Sequence, residues 1–336
     1  MGKENAITAS EILAEAKQNG SLKDTIQDHI EHADDYGIST HASKDILSCI
    51  RAGKLDSISV ITNMTAYDEA ASELVGAWNT LVKKPLLTIH LNFLEGHCVA
   101  DPTLIPHLVN EKGYFTVGFG KLLAWSYVPA MYQIVKQELK TEIKAQTERF
   151  IQYFGTDRPL RFDGHQHTQM IPVVYHALLE LIQEEQYPVS YIRVTREPIR
   201  AYLKMFSLWT TYAPINWVKN GLLNLFSPFL ERKLSKVDWK YEHTSTGERR
   251  NTIPCKRMYL WGVVMSGCMD ERRVNKLLAN MCRQSERRHR HLEILFHPGS
   301  LIKEEMGEEF CNVGANKFHL SQNRSKEFEA VMELNL

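Results

Sequence analysis

The sequence has no Cys-x-x-Cys pair, no surplus of charge of either sign, no internal repeat and no apolar run long enough to cross a membrane. Each absence narrows the field. Six cysteines, at positions 49, 98, 255, 268, 282 and 311, are scattered through 336 residues. In a chain this long they read as reduced thiols in a cytosolic setting. Forty basic and forty acidic residues cancel, so no global basic field argues for nucleic acid. No stretch reaches the ~18 consecutive apolar residues of a membrane span. The opening Met1-Gly-Lys-Glu-Asn-Ala6 lacks the apolar core of a signal peptide, and Gly2 with Ser10 does not fit the spacing of a myristoylation signal. A cytoplasmic location, with neither membrane span nor nucleic-acid partner, is expected. What remains is ordinary for a soluble globular protein: 43% hydrophobic and 24% charged residues, enough chain for one large α/β domain or two ordinary ones.

Residues 1–28 read as a polar helical extension, with Ser10 as a cap, Ile12, Leu13 and Ala16 as its apolar stripe and Gly20 as its end. From residue 29 onward, strand and helix patterns alternate and predict one barrel-like domain over 29–336. Strands are expected at His29–Ala33, Ser57–Thr62, Pro85–Leu91, Leu160–Asp163, Val189–Thr195, Met258–Met265 and His291–Gly299. Helices are expected from Ser39 or Thr40 to Ala52, over 66–81, from about Val128 to Tyr153, from Pro172 to Ile182 and over 324–336. Residues 199–234 carry Tyr202, Phe206, Trp209, Tyr212, Trp217, Phe226 and Phe229. This aromatic insertion reads as a buried helix pair, with a substrate lid or a homodimer face as the alternatives. Lys233 to Asn251 reads as a polar loop. Strands alternating with helices imply a mainly parallel sheet. Seven of them suggest an irregular, incompletely closed (β/α) barrel.

The chemistry gathers at the strand ends. Arg161-Phe-Asp-Gly-His-Gln-His-Thr-Gln-Met170 packs Asp163, His165 and His167 into five residues where a strand gives way to a helix. Asp34 and Asp35, His90, Arg193 and His297 each fall at or near the end of a different expected strand. In a parallel barrel those ends open on one face. A carboxylate and two neutral imidazoles can hold a divalent ion with positions left for water and substrate. Adjacent Asp34 and Asp35 invite a division between ligand and base. Neighbours on an extended backbone point opposite ways, so both serve only if the chain bends, and Gly37 permits a bend. Singly, each residue has a plainer reading: an acidic helix cap at Asp34-Asp35, a satisfied core histidine at His90, a structural ion pair at Arg193 and a turn at His297-Pro-Gly299.

Four ordered stretches resemble the signatures of the YdjC-like carbohydrate deacetylases. His32-Ala-Asp-Asp-Tyr-Gly-Ile-Ser39 is similar to their Asn-Ala-Asp-Asp-Phe-Gly-Leu-Ser. His90-Leu-Asn-Phe-Leu-Glu-Gly96 is similar to His-Leu-x-Leu-x-Glu-Gly. Asp163-Gly-His-Gln-His-Thr-Gln-Met-Ile-Pro172 is similar to Asp-Ser-His-Gln-His-x-His-x-x-Pro, and Glu293-Ile-Leu-Phe-His-Pro-Gly299 to Glu-x-x-x-His-Pro-Gly. The resemblance spans roughly residues 30–330. It implies a barrel-like fold, one divalent metal ion and removal of an acetyl group from an N-acetylated sugar. Carried over residue by residue, the ligands are Asp35, His90 and His165, the base is Asp34 and the acid is His297. Asp163, His167, Arg193 and Glu95 are then expected to touch substrate or to orient a ligand. Among the departures from the family pattern, His32 stands for Asn and Gln169 for the third histidine.

The reaction so implied is hydrolysis of an N-acetylhexosamine-containing saccharide or glycoconjugate. Magnesium or zinc heads the candidate ions, with manganese, cobalt and nickel also suited to such donors. Two rivals share the constellation: a non-catalytic sugar-binding relative, and a two-His-one-carboxylate Fe(II) oxygenase. The oxygenase needs no second aspartate and favours a β-rich scaffold.

Overall fold

The computed structural model describes residues 29–203, 205–236, 258–310, 313–334 and 336. The expected helix over 1–28, and the part of the expected polar loop beyond residue 236, lie outside them. Seven strands form one sheet: β1 (His29–Tyr36), β2 (Ser57–Val60), β3 (Leu86–Leu91), β4 (Leu160–Gly164), β5 (Val189–Ile192), β6 (Met258–Trp261) and β7 (His291–Phe296). Their order is β5-β4-β3-β2-β1-β7-β6, and every neighbouring pair is parallel. The sheet curls into a half-barrel with helices packed around it, as the strand–helix alternation predicts.

Period-two alternation decides which side chains meet the helices. Ile58, Val60, Ile89, Leu91, Phe162, Ile192, Leu292 and Ile294 are buried in the main hydrophobic core. Between them, Ser57, Ser59, Thr88, His90, Asp163, Tyr191 and Glu293 point to the concave face and are also buried. A (β/α) barrel ordinarily fills its interior with stacked aliphatic layers. Here the interior is a hydrogen-bonded polar network, which accounts for the polar sequence of β1 even though it lies between β2 and β7.

The outer layer comprises α1 (Thr40–Arg51), α2 (Tyr67–Ala77), α3 (Phe119–Trp125), α4 (Pro129–Phe154), α5 (Pro172–Glu185), α6 (Ile199–Tyr202), α7 (Pro214–Leu234), α8 (Glu271–Arg287), α9 (Val313–His319) and α10 (Gln322–Glu333). Ser39 caps α1 by accepting the Ala42 amide at 3.1 Å. In α8, Val274, Leu277, Leu278, Met281, Cys282 and Ser285 recur at helical spacing and are all buried. Each large apolar side chain among them contributes about 1.5–3 kcal/mol by leaving water.

The aromatic insertion is not a helix pair. It is the short α6, a 3-10 turn at Phe206–Thr211 and the single long α7. The reason is division of its aromatics: Tyr202 and Tyr212 are buried and Trp217 packs on the core, whereas Phe206 and Phe229 are 72% and 65% exposed. Apolar side chains lie on both sides of the segment, and only one side is covered by the core.

The sheet edges β5 and β6 approach each other without pairing as strands. Past β5, the Arg196 carbonyl accepts the Leu260 amide at 2.9 Å. Glu197 is buried beside it and accepts the amides of Gly262, Val263 and Val264 at 2.8, 3.3 and 2.9 Å and the Tyr202 hydroxyl at 2.6 Å. Asn224 of α7 donates to the Glu197 carbonyl at 3.0 Å. These contacts tie the seam of the curled sheet.

Candidate functional site

Asp34 and Asp35 sit at an irregularity in β1. The β1–β2 register runs from Ala33↔Ile58 to Tyr36↔Val60, three steps on one strand against two on the other. One extra residue is a β-bulge, and it re-aims side chains. Asp35 takes φ +72°, a left-handed conformation that costs a non-glycine residue roughly 1–3 kcal/mol. The bend therefore begins at Asp35 itself, ahead of Gly37. Gly37 follows at φ +95°, where a Cβ would lie 2.5 Å from the Ile61 carbonyl oxygen. Both carboxylates consequently reach the concave face.

Asp35 meets two histidines there. Its Oδ1 lies 3.0 Å from His165 Nδ1 and 3.5 Å from His90 Nε2. Ligands about 2 Å from a tetrahedral zinc-like ion stand roughly 3.3 Å apart, so the spacing fits a cation. All three residues are buried. His90 uses its other nitrogen, Nδ1, on Asp163 Oδ1 at 2.6 Å, which frees Nε2 to face Asp35. Burial opposes a charge on His90, yet Asp163 and Asp34 overcome it and push its pKa to about 10. Burial likewise opposes ionisation of Asp35, but Arg324 and His165 hold its carboxyl well below the usual range. Arg324, on α10, donates to Asp35 Oδ2 at 2.9 Å.

Asp34 belongs to a second cluster. Arg193 Nη1 donates to both its oxygens at 3.0 and 3.1 Å, lies 2.8 Å from Asp163 Oδ2, and its Nη2 reaches Glu293 Oε1 at 2.5 Å. One guanidinium thus joins three buried carboxylates. Burial opposes the charge on Asp34; the Arg193 guanidinium outweighs it and keeps the carboxyl well below the usual range. His32 Nε2 lies 3.0 Å from Asp34 Oδ1 and 2.7 Å from the Ser59 hydroxyl. The histidine at the position where the resembling motif has asparagine therefore bonds the first aspartate. Gln169, in place of the family's histidine, donates to the Arg193 carbonyl at 3.3 Å.

The remaining expected residues lie around these clusters. His167 is buried at φ +64°, with Gln166 before it at φ +52°, and its Nδ1 lies 3.3 Å from Thr195 Oγ1. Burial, with Lys219 and Arg193 nearby, holds its pKa well below the ordinary value and keeps it neutral. His297 follows β7; its amide donates to Glu327 Oε2 at 2.6 Å, and its ring stands edge-on to Phe318. Glu95 is buried and accepts from His319 Nε2 at 2.9 Å.

Sequence reasoning did not single out Lys219, His319, Arg324 or Glu327. Lys219 is half-buried on α7, and burial takes its ammonium down to about 8 against the pull of Asp34 and Asp35. These residues sit on helices, where no strand-end position marks them.

Among the described residues, three groups of donors have atoms close enough for a metal: Asp35, His90 and His165; Glu95, His165 and His319; and His32, Asp34 and Asp163. The last is already bridged by Arg193. No helix among the described residues is long and apolar enough to cross a membrane.

The sequence has counterparts. A carbohydrate deacetylase of Xenopus laevis is 23% identical over 314 residues, covering 89% of each chain. One from Danio rerio is 28% identical over 169 residues, and the match spans about half of each chain, 49%. A chitooligosaccharide deacetylase of Escherichia fergusonii is 28% identical over 158 residues, covering 46% of this chain and 56% of its own. A crystal structure from Enterococcus faecalis, of a protein named for cellobiose-phosphate cleavage, superposes with TM-score 0.52 at 16% identity over 92% of this chain and 96% of that one, which bears on the fold alone. The family model described as YdjC-like protein matches residues 30–336. With that span, and with all four sequence stretches converging on one face of the sheet, the chain belongs to the YdjC-like family.

Proposed function

We propose that the chain is a metal-dependent hydrolase that removes the N-acetyl group from an N-acetylhexosamine-containing saccharide or glycoconjugate. The observation that carries the reading is the meeting of Asp35, His90 and His165 beside Asp34 on the β1 bulge. The deacetylase names of its relatives support the same chemistry. Asp35 Oδ1, His90 Nε2 and His165 Nδ1 would hold a divalent ion, with magnesium or zinc foremost for such donors. When bound, that ion supplies Lewis acidity toward the acetyl carbonyl and acidifies water.

The chain's own groups do the rest. Asp34 is ionised and fixed by Arg193 and His32, so its carboxylate is aimed before substrate arrives. It accepts the proton of the attacking water. Pairing with Arg193 keeps Asp34 a weak base, so the proton it takes from water is released to solvent, from which His297 regains the proton it gives to the amine. His297, whose backbone amide donates to Glu327 Oε2 at 2.6 Å, protonates the departing sugar amine. Lys219 and neutral His167 offer hydrogen-bond donors at the mouth for sugar hydroxyls or the developing oxyanion.

The test is acetate release from N-acetylglucosamine oligomers and conjugates by metal-stripped protein with each divalent ion added back. Metal-dependent acetate that disappears in His165→Ala is expected. Asp34→Asn is expected to lose at least about a hundredfold in kcat, the scale of general-base catalysis, while still binding metal. Bound metal without acetate from any substrate would leave a binding protein, and absence of metal binding would sink the mechanism.

A further inference from the structure

The two candidate histidine ligands are mounted in opposite senses. His90 turns Nδ1 to Asp163 at 2.6 Å and leaves Nε2 for the cation site. His165 turns Nδ1 to the site, 3.0 Å from Asp35. Its Nε2 is buried without a hydrogen-bond partner and aims at Glu95 Oε2, 3.7 Å away. Glu95 Oε2 is held in turn by His319 Nε2 at 2.9 Å, and the rings of His165 and His319 stack with centroids 6.1 Å apart and 21° between planes. His319 Nδ1 faces Arg324 Nη1 at 3.5 Å, and the same Nη1 donates to Asp35 Oδ2 at 2.9 Å. The contacts close a ring: Asp35, Arg324, His319, Glu95, His165 and back to Asp35. All five side chains are buried.

We propose that His319 is a positioning residue: acting through Glu95, it fixes the tautomer and orientation of His165 that present Nδ1 to a divalent cation. This rests on the reading that Asp35, His90 and His165 hold such an ion. A neutral imidazole has one N–H. If Nδ1 is to give its lone pair, the hydrogen must sit on Nε2, where Glu95 Oε2 is the carboxylate in line. Metal-bound histidines ordinarily have such an outer acceptor, and Asp163 already does this for His90. Glu95 can serve only if its charge is held, and the His319 N–H holds it. Arg324 occupies the Nδ1 side of His319, which leaves Nε2 as its donor to Glu95. The arrangement also argues against a separate ion among Glu95, His165 and His319. That ion would need His165 stripped of both protons, and it would sit beside the Arg324 guanidinium.

The experiment is titration of metal-stripped protein with Co(II), read by calorimetry and by the visible ligand-field spectrum, for wild type, His319→Ala, His319→Gln and Glu95→Gln. Wild type should bind one ion per chain. His319→Ala and Glu95→Gln should bind about 10–100-fold more weakly, the usual cost of losing an outer-shell partner, with an altered Co(II) spectrum. His319→Gln, whose amide can still donate to Glu95, should restore affinity to within a few-fold of wild type, which a merely space-filling role would not predict. Wild-type affinity in His319→Ala overturns the proposal, and so does failure of rescue in a folded His319→Gln. Two ions per chain, with the weaker lost in His319→Ala, would make His319 a ligand instead. Wild type binding no ion would overturn both this proposal and the reading beneath it. One tight ion with undisturbed variants overturns this proposal alone.

Discussion

The aspartate that faces the candidate cation site is in the backbone conformation least suited to an aspartate in a strand. Asp35 has φ +72°, and it stays there because His165 and Arg324 hold its two oxygens. That arrangement was only partly legible in the sequence. The pair Asp34-Asp35 was visible, and so was the need for a bend. The bulge that supplies the bend was not, because strand periodicity carries no record of an extra residue. Gly164, next to His165, is a neighbouring constraint of a different kind. A Cβ there would lie 2.9 Å from both Gln169 Oε1 and Thr168 Oγ1 and 3.0 Å from the Gln169 backbone nitrogen, which cannot retreat. Gly164→Ala is expected to cost about 1–3 kcal/mol by overpacking, measurable by denaturant unfolding, and to weaken metal binding by displacing His165. Unchanged stability would show that the turn after β4 yields freely. Glu197 makes a pH prediction. Burial, against its amide and phenol donors, pushes its pKa up to about 7. Between roughly pH 4.3, the value of a free glutamate, and 7, the folded chain holds a proton there that the unfolded chain has lost. Linkage then makes its contribution to stability fall as pH rises through that window. The stability difference between Glu197→Gln and wild type should shift in favour of the variant from pH 5 to pH 8, by an amount on the order of 1–3 kcal/mol. A pH-independent difference would show that the three amide donors keep Glu197 ionised throughout.

Elements were legible where alternation was strong and misread where it was not. Six of the seven strands carry a clear apolar alternation or run, and β1, polar to its core, carries the weakest signal and runs straight into the acids. The segment 199–234 failed because aromatic content says how much apolar area exists but not which side is covered. Its long helix α7 also holds Pro228 in its interior. Proline lacks the amide that would bond the Asn224 carbonyl four residues back. The Ser227 hydroxyl donates to that carbonyl instead, at 3.2 Å. This predicts a coupled pair. Ser227→Ala should cost about 1 kcal/mol with Pro228 present, the ordinary penalty for orphaning a buried carbonyl. In a Pro228→Ala background, where the helix regains its own bond, the cost should fall by half or more. Additive effects across the double-mutant cycle would mean that Ser227 is not replacing the lost bond.

At the scale of the whole molecule, the half-barrel was legible from strand count and spacing. The extent to which the chain's end completes the site was not. The signature stretches run from residue 32 to residue 299, and nothing in helices α9 and α10 distinguishes His319, Arg324 and Glu327 from surface charges until they are seen buried. A site drawn from β1, β3, β4 and α10 couples cation binding to global folding. Under the proposed function, a divalent ion at a hundred times its dissociation constant should stabilise the native chain by about 2.7 kcal/mol. The melting temperature should therefore rise with metal concentration in wild type and stay flat in His165→Ala. An equal rise in both would place the stabilising ion elsewhere.

The contact between Asp35 and Arg324 joins residues 289 positions apart, and that separation sets a clock. At synthesis rates of about 5–20 residues per second, roughly 15–60 s pass between the making of one and the making of the other. Until that interval closes, a nascent chain carries Asp34 and Asp35, and in time His90 and Asp163, without the guanidinium that restrains Asp35. Under the proposed function, a discriminating cation site would therefore form only when α10 docks and Arg324 reaches Asp35.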